Sequence, residues 1–191
     1  MKLPIIPIML LFAAVAQGQQ PESVPVAPKP RISQYVETAR PAEEIQQTYP
    51  YDIPLRNAGG DTLNSSGVFE KNGKPTVLLF WLTTCAPCRQ ELTAIASKYD
   101  RWKHEADFNF YAVSIDFPHN FEAFVNRVGE SRWPFPAYYD LDREFGQIMP
   151  GRLNGLPQTF LLDKDGNIVH HKRKYAPGDE DALFDLLKTL Q

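Results

Sequence analysis

The sequence predicts an α/β fold in which a central mixed β-sheet is flanked by helices. Residues 76–81 and 108–116 are continuous apolar runs rich in strand formers, the pattern of strands buried on both faces. Each run precedes apolar residues at helical spacing, to about His104 in the first case and from about His119 to Val128 in the second. This alternation of strands and helices predicts a parallel core.

Shorter segments complete the predicted fold. Residues 51–56 and 61–64 flank an Asn57-Ala58-Gly59-Gly60 turn and predict an N-terminal β-hairpin. A second hairpin, formed by residues 158–163 and 168–174, turns at Asp165-Gly166. The remaining expectations are an extended segment and two helices, at residues 135–139, 141–148 and 179–190.

Length and composition divide the chain into three parts. With 191 residues and 43% hydrophobic content, the chain can form one ordinary domain, predicted at residues 51–191. Residues 1–18 have the charge, the apolar run and the small residues of a signal peptide, or of an uncleaved N-terminal anchor. Residues 19–50 begin as a Pro/Gln-rich tether and continue as a segment that can pack as a helix or stay loose. We therefore expect an exported, periplasmic protein, membrane-tethered if the N-terminus stays uncleaved.

The two cysteines, in Cys85-Ala86-Pro87-Cys88, are the strongest indication of chemistry. A disulfide between residues three apart closes almost no loop, so it adds little stability and suits a bond that opens and closes. Cys85 stands at a predicted helix N-terminus, where the helix dipole favours a thiolate and Pro87 is tolerated. We expect Cys85 to attack disulfides and Cys88, one turn inward, to resolve the mixed disulfide.

Two charged residues follow on the same predicted helix. Glu91, three residues after Cys88, lies on the same helical face and is the candidate proton acceptor, unless it is a plain surface glutamate. Arg89 either leans back toward the Cys85 thiolate or is a solvated surface cation.

Other chemistries have weaker support in the sequence. The cysteines can be half of a zinc site only if histidines complete it, and none is spaced like a partner motif: His104, His119, His170 and His171. We expect no metal and no cofactor. The net charge of −3 lacks the basic footprint of a nucleic-acid-binding protein. The basic run at residues 170–174 suits a surface strand whose edge resists aggregation.

Residues 51–190 resemble the thioredoxin-like fold, and within it the exported TlpA/ResA-like thiol-disulfide oxidoreductases. The resemblance depends on Phe80-Trp81 before the cysteine pair and on the run from Leu156-Pro157 to Gly166. It implies a three-layer fold and a cis peptide bond before Pro157 that faces the cysteines. It also implies a glutamate near the cysteines at the Glu91 position, and a substrate-binding surface formed by residues around the active site: Trp81, Thr84, Pro87, Leu156 and Pro157.

Several residues depart from the family pattern. Thr84 stands where a tryptophan commonly precedes the first cysteine, and Leu79 where thioredoxins often have a buried aspartate. Thr93 replaces a proline that often bends the active-site helix, and Leu156 differs from the usual residue before the cis-proline. We expect these changes to alter redox potential and substrate choice. Without the aspartate, Glu91 is expected to be the main proton acceptor.

The resemblance implies a monomer that reduces disulfides of client proteins and receives electrons from a membrane thiol reductase, with cytochrome c maturation as one pathway. A disulfide oxidase or isomerase can use the same pair, because the direction depends on the relative stability of dithiol and disulfide. A peroxidase of the Thr-x-x-Cys type is less suited, because Thr84-Cys85 lacks that spacing. The alternative from another class is a non-catalytic binding module on a tether.

Overall fold

In the computed structural model, which describes residues 48–49 and 52–191, seven strands form one mixed sheet. The strands are β1 (Pro54–Asn57), β2 (Thr62–Asn64), β3 (Thr76–Trp81), β4 (Asn109–Ser114), β5 (Ala137–Asp140), β6 (Gln158–Leu162) and β7 (Ile168–Arg173). Their order across the sheet is β2-β1-β5-β4-β3-β6-β7. The predicted signal peptide and nearly all of the predicted tether lie outside the described residues. Within the described part, no helix is long and apolar enough to span a bilayer.

The predicted parallel core is confirmed at the centre of the sheet. All six residues of β3 are buried, and β3 pairs in parallel with β4, which pairs in parallel with β5. On its other side β3 pairs antiparallel with β6, so that Phe80 is opposite Gln158. This register sets the carboxyl end of β3, which leads into the cysteine pair, beside the amino end of β6.

Five helices surround the sheet in the described part of the chain. They are α1 (Ser65–Val68), α2 (Ala86–Glu105), α3 (Phe121–Ser131), α4 (Phe145–Ile148) and α5 (Asp179–Lys188), with two short 3-10 turns at Pro118–Asn120 and Pro150–Leu153. The helices predicted after the two central strands and at residues 179–190 are present within a few residues of their expected bounds, whereas the one predicted at residues 141–148 is a single turn, Phe145–Ile148. The helix that follows the cysteines is the longest, with 20 residues.

Side chains alternate across β3 and separate two hydrophobic cores. Val77, Leu79 and Trp81 join the core that contains residues of α2, α3 and α5, whereas Leu78 and Phe80 join the core on the opposite face. A stacked pair of rings, Trp102 on α2 and Phe184 on α5 with centroids 4.8 Å apart, packs these two helices together. Burial on both faces produces the predicted three-layer arrangement.

Both predicted hairpins are present, and the second has the expected Asp-Gly turn. Gly166 adopts a φ of 86°, a left-handed conformation that glycine reaches without steric cost. The Asp163 carboxylate accepts hydrogen bonds from the backbone N–H groups of Asp165 and Asn167, at 2.9 and 2.8 Å. The turn fixes the pairing of β6 with β7, which ends the sheet on this side.

Tyr49, just before the predicted domain boundary at residue 51, packs against the domain. Tyr49 is 2% exposed, and its ring stacks on Phe145 with centroids 5.6 Å apart. Its backbone N–H donates to the Gly166 carbonyl at 3.1 Å. In the sequence, Tyr49 follows the polar residues 46–48 and is separated by Pro50 from the strand predicted at residues 51–56, so this packing is not predicted.

Candidate active site

Cys85 and Cys88 form a disulfide at the N-terminus of α2, with Cα atoms 5.3 Å apart. Cys85 has an extended backbone conformation and is the N-cap of the helix; its Sγ accepts a hydrogen bond from the Cys88 N–H at 3.2 Å. The unpaired N–H groups and dipole of this 20-residue helix favour negative charge at the same sulfur after reduction. Cys85 is therefore placed to react as a thiolate.

The two sulfurs have different environments. Cys88 is fully buried in the core beneath α2, whereas Cys85 is partly exposed, with exposed Thr84, Ala86 and Pro87 around it. A client disulfide can reach Cys85 but not Cys88. The order of events in which Cys85 attacks and Cys88 resolves stays a prediction.

The loop before Cys85 is held by the neighbouring strand. Asp116, just past the end of β4, is 2% exposed, and its carboxylate accepts hydrogen bonds from the N–H and the Oγ1 of Thr83 at 2.8 and 2.9 Å. The Arg89 guanidinium donates to the Thr83 carbonyl at 3.0 Å. Arg89 thus does lean back along the helix, and its hydrogen bond goes to the loop backbone. These contacts fix the path of the chain into the cysteine pair.

The loop that precedes β6 contains the cis peptide bond between Leu156 and Pro157 that the resemblance implies. The Gln158 side-chain amide donates to the carbonyls of Asn154 and Gly155, at 2.9 and 3.2 Å. The Pro157 carbonyl accepts from the Lys174 N–H at 2.8 Å. By the register of β3 with β6, this loop lies beside Trp81, where the chain enters the active-site loop.

Glu91 is not a surface residue. It is 3% exposed, one helical turn after Cys88, and its Oε1 accepts a hydrogen bond from the Thr159 hydroxyl of β6 at 2.9 Å. Its Oε2 is buried and has no hydrogen-bond partner within the described residues. Burial raises the pKa of Glu91 to about 7, opposed by the Thr159 hydrogen bond, with a smaller raising effect from Asp179. A carboxyl group with this pKa can both accept and release a proton at neutral pH.

The predicted substrate contacts differ in their exposure. Trp81 is fully buried, with its ring 5.2 Å from that of Trp133 and 6.0 Å from that of Phe124. Its position in β3 directs the side chain into the core between α2 and α3, so it supports the active-site loop from below and does not face a client. Thr84 and Pro87 are exposed beside Cys85, and Leu156 is half-buried.

Other sequence departures have clear surroundings. Leu79, at the position where thioredoxins often have an aspartate, is fully buried in the same core as Cys88. It pairs across the sheet with Thr159, the residue that hydrogen-bonds Glu91. The buried carboxyl group nearest Cys88 in sequence therefore comes from the helix and not from the central strand.

The sequence did not predict the residues that support this site. The sequence does contain a signal for Asp116. The carboxyl ends of parallel strands lie at the same edge of a sheet, so a carboxylate just after β4 lies near the loop that follows β3. Thr159 has a weaker signal, a polar residue within an apolar strand. Lys172 and Asp179 approach Glu91 only in the folded chain. Among the described residues, no three His, Cys, Asp or Glu side chains cluster as metal ligands do.

A cysteine pair of this geometry on a thioredoxin-like fold defines the class of thiol-disulfide oxidoreductases, and this chain is one of them. It belongs to the AhpC/TSA family, whose model matches residues 45–171.

Comparison with curated proteins supports this assignment. The chain is 32% identical over 132 residues to the thiol-disulfide oxidoreductase ResA of Geobacillus kaustophilus, covering 69% of this chain and 70% of the relative. It is 25% identical over 146 residues to sporulation thiol-disulfide oxidoreductase A of Bacillus subtilis, covering 76% and 83%. Matches to two other ResA proteins span only 53% of each relative's length.

The fold itself has solved counterparts. A thioredoxin-like protein from Porphyromonas gingivalis superimposes with a TM-score of 0.63 at 30% sequence identity, covering 75% of this chain and 94% of that protein. The similarity therefore extends over most of the described domain.

Proposed function

We propose that this protein reduces disulfides of client proteins outside the cytoplasm, with Cys85 as nucleophile, Cys88 as resolving thiol and Glu91 as proton acceptor. The observation that carries the proposal is the asymmetry of the pair: a partly exposed sulfur at a helix N-terminus, bonded to a fully buried sulfur one turn from a buried carboxyl group.

The reaction transfers two electrons to the client. The Cys85 thiolate attacks one client sulfur and forms a mixed disulfide, while the displaced client thiolate takes a proton from solvent. Cys88 gives its proton to the Glu91 carboxylate and attacks the Cys85 sulfur, which breaks the mixed disulfide. The second client thiolate leaves and is protonated. The client becomes a dithiol, and the protein keeps the Cys85–Cys88 disulfide and a protonated Glu91.

Two features favour the reducing direction over an oxidase or isomerase. Strong oxidants of this kind stabilise their reduced form, chiefly by stabilising the thiolate. Here Ala86 and Pro87 between the cysteines add no cation, and the Arg89 guanidinium hydrogen-bonds the Thr83 carbonyl. Ionised Glu91 also opposes a second negative charge on Cys88. The Cys85 thiolate is thus less stabilised than in a strong disulfide oxidant, and the Cys85–Cys88 dithiol is a better reductant.

The location and partners are part of the same proposal. The signal-peptide pattern of residues 1–18 supports export to the periplasm, with membrane tethering if that segment is retained. We propose that the protein acts as a monomer and is re-reduced by a membrane thiol reductase. Apocytochromes c, whose haem-attachment cysteines must be reduced, are the client class to test first.

The test compares two single variants in cells and in purified form. Cys85→Ser should abolish insulin reduction, because no sulfur accessible to a client remains. Cys88→Ser should attack clients and then stop, so that mixed disulfides accumulate and can be identified after thiol trapping. Each variant is the matched control of the other. Undiminished insulin reduction by both variants would contradict the proposal, and no reduction by the wild type would favour the binding module.

A further inference from the structure

A cleft opens behind Glu91, between the β7 edge of the sheet and α5, and most of its wall is apolar. Its volume is about 170 Å³, and its polar lining consists of Glu91, Thr159, His170, Lys172 and Asp179. Three side chains of α5 form the rest of the wall, of which Leu186 is 39% exposed at the outer end. The cleft therefore leads from a buried carboxyl group toward solvent, and none of the predicted client contacts lines it: Thr84, Pro87, Leu156 and Pro157.

The cleft has room for water, and polar groups in its wall can bind it. Its volume is several times the ~30 Å³ that one water molecule occupies in the liquid, and ordered water needs two to four polar partners. The buried Oε2 of Glu91, which has no protein partner within the described residues, is one such group. Buried polar atoms in native proteins are nearly always satisfied by protein or by water.

An ion pair stands in the wall of the cleft. Lys172 Nζ lies 2.9 Å from the Asp179 carboxylate, and the two side chains are 36% and 21% exposed. Other charged groups near Glu91 are already occupied: Glu180 on α5 accepts hydrogen bonds from Lys98 at 2.9 Å and from Tyr175 at 3.0 Å. The Lys172–Asp179 pair is thus the charged element between Glu91 and solvent in the cleft.

We propose that water in this cleft connects Glu91 with solvent, and that Lys172 and Asp179 are positioning residues that set how readily Glu91 accepts and releases the proton of Cys88. This inference rests on the proposed role of Glu91 in the disulfide reaction. While a client is bound to Cys85, the front of the site is covered, and both Cys88 and Glu91 are buried. The proton left on Glu91 after resolution leaves through the cleft before the next cycle.

The two members of the pair act on Glu91 in opposite directions. Asp179 raises the pKa of Glu91, because two negative charges repel, and Lys172 lowers it, because a cation stabilises the carboxylate. His170 shares the cleft, and its own pKa is lowered by burial and then by Lys172, so it contributes little positive charge at neutral pH. Removing one member of the pair should therefore shift the titration of Glu91 in a direction set by the charge that remains.

The experiment measures the titration of Glu91 by carboxyl ¹³C NMR, together with the pH profile of mixed-disulfide resolution. Asp179→Asn should lower both midpoints by roughly half a pH unit or more, and Lys172→Met should raise them by a similar amount. At a pH below the midpoint, a shift of half a pH unit changes the rate of mixed-disulfide resolution about threefold. The matched controls are Asp185→Asn and Lys188→Met, which make the same charge changes at exposed positions of α5 outside the cleft.

Ala182→Phe tests the role of water, because it adds a ring at a position that lines the cleft. Exclusion of water should raise the Glu91 midpoint, whereas Asp185→Phe on the same helix should not. Midpoints of Asp179→Asn and Lys172→Met equal to those of their controls, or shifted in the same direction, would overturn the proposal. An unshifted Ala182→Phe would overturn the role of water. The NMR titration remains measurable if the wild type reduces no disulfide, so failure of the proposed function is distinguishable.

Discussion

At the scale of single residues, Glu91 is the group whose environment matters most. A glutamate three residues after a cysteine on a helix can lie on the surface or be buried beside the cysteine. Only the packing of the folded chain distinguishes these two positions. In the fold, β6 covers this face of α2, so that Glu91 is 3% exposed and hydrogen-bonded by Thr159. In the proposed reaction this carboxyl group accepts the proton of Cys88, a role that the apolar Leu79 on the central strand cannot fill.

The raised pKa of Glu91 has a consequence for stability. The pKa is about 7 in the folded state against an ordinary value of 4.5. Below pH 4.5 the group is protonated in both states, so it adds no pH dependence there. Between pH 4.5 and 7 the unfolded chain releases the proton while the folded chain keeps it, so the free energy of unfolding decreases as the pH rises. Above about pH 7 this contribution is constant.

Glu91→Gln should remove this pH dependence, because glutamine does not ionise. Relative to wild type, the free energy of unfolding of the oxidised variant should increase by about 3 kcal/mol between pH 4.5 and pH 8, at roughly 1.4 kcal/mol per pH unit of pKa difference. Denaturant unfolding at several pH values measures it. The control is Glu122→Gln on the exposed side of α3, expected within about 0.5 kcal/mol of wild type. A pH-independent difference for Glu91→Gln would show that the carboxyl group is not held in the protonated form.

At the scale of elements, the active site is built where β3, β4 and β6 meet. The loop after β3 contains Cys85, Asp116 follows β4, and Pro157 precedes β6. The buried carboxylate of Asp116 accepts two hydrogen bonds from Thr83 and a third from the Ser114 hydroxyl at 2.8 Å. A single residue just after a neighbouring strand, Asp116, therefore fixes the loop that leads into the cysteine pair.

Asp116→Ala should lower the free energy of unfolding by about 2–4 kcal/mol, because it leaves the Thr83 N–H and two hydroxyl groups without their charged acceptor. Insulin reduction should also slow, since the path of the loop into Cys85 is no longer fixed. Asp165→Ala, at an exposed turn position, should stay within about 0.5 kcal/mol of wild type. Equal stability of the two variants would show that Asp116 does not support the loop.

The basic run at residues 170–174 illustrates what a one-dimensional pattern omits. It does form a strand at one end of the described sheet, as predicted. Because side chains alternate, His170 and Lys172 line the cleft behind Glu91. His171 faces the other way, stacks on Phe160 with centroids 4.0 Å apart and hydrogen-bonds Gln158. Neighbouring residues of one basic run thus face opposite sides of the sheet. Which side each one faces depends on how β7 pairs with β6.

At the scale of the whole molecule, the fold could be predicted because its main signals are local. Strands buried on both faces are continuous apolar runs, and helices repeat apolar residues with a period of about 3.6 residues. The Asp-Gly dipeptide indicates a hairpin turn. The cysteines could be assigned from their spacing and their place at the start of a helix. Contacts between distant segments could not, because they depend on the register of β6 with β3. The burial of Glu91, the Thr159 hydrogen bond and the Lys172–Asp179 cleft are of this kind.

The central claim is that the Cys85–Cys88 pair is a reductant of protein disulfides, and its redox potential tests this most directly. The purified domain is equilibrated with glutathione and dithiothreitol buffers of known potential, and the fraction of free thiol is measured. We predict a potential more negative than about −200 mV, on the reducing side of protein disulfide isomerase at about −180 mV. A potential near the about −120 mV of strong disulfide oxidants would contradict the account, because the dithiol would then be too stable to reduce its clients.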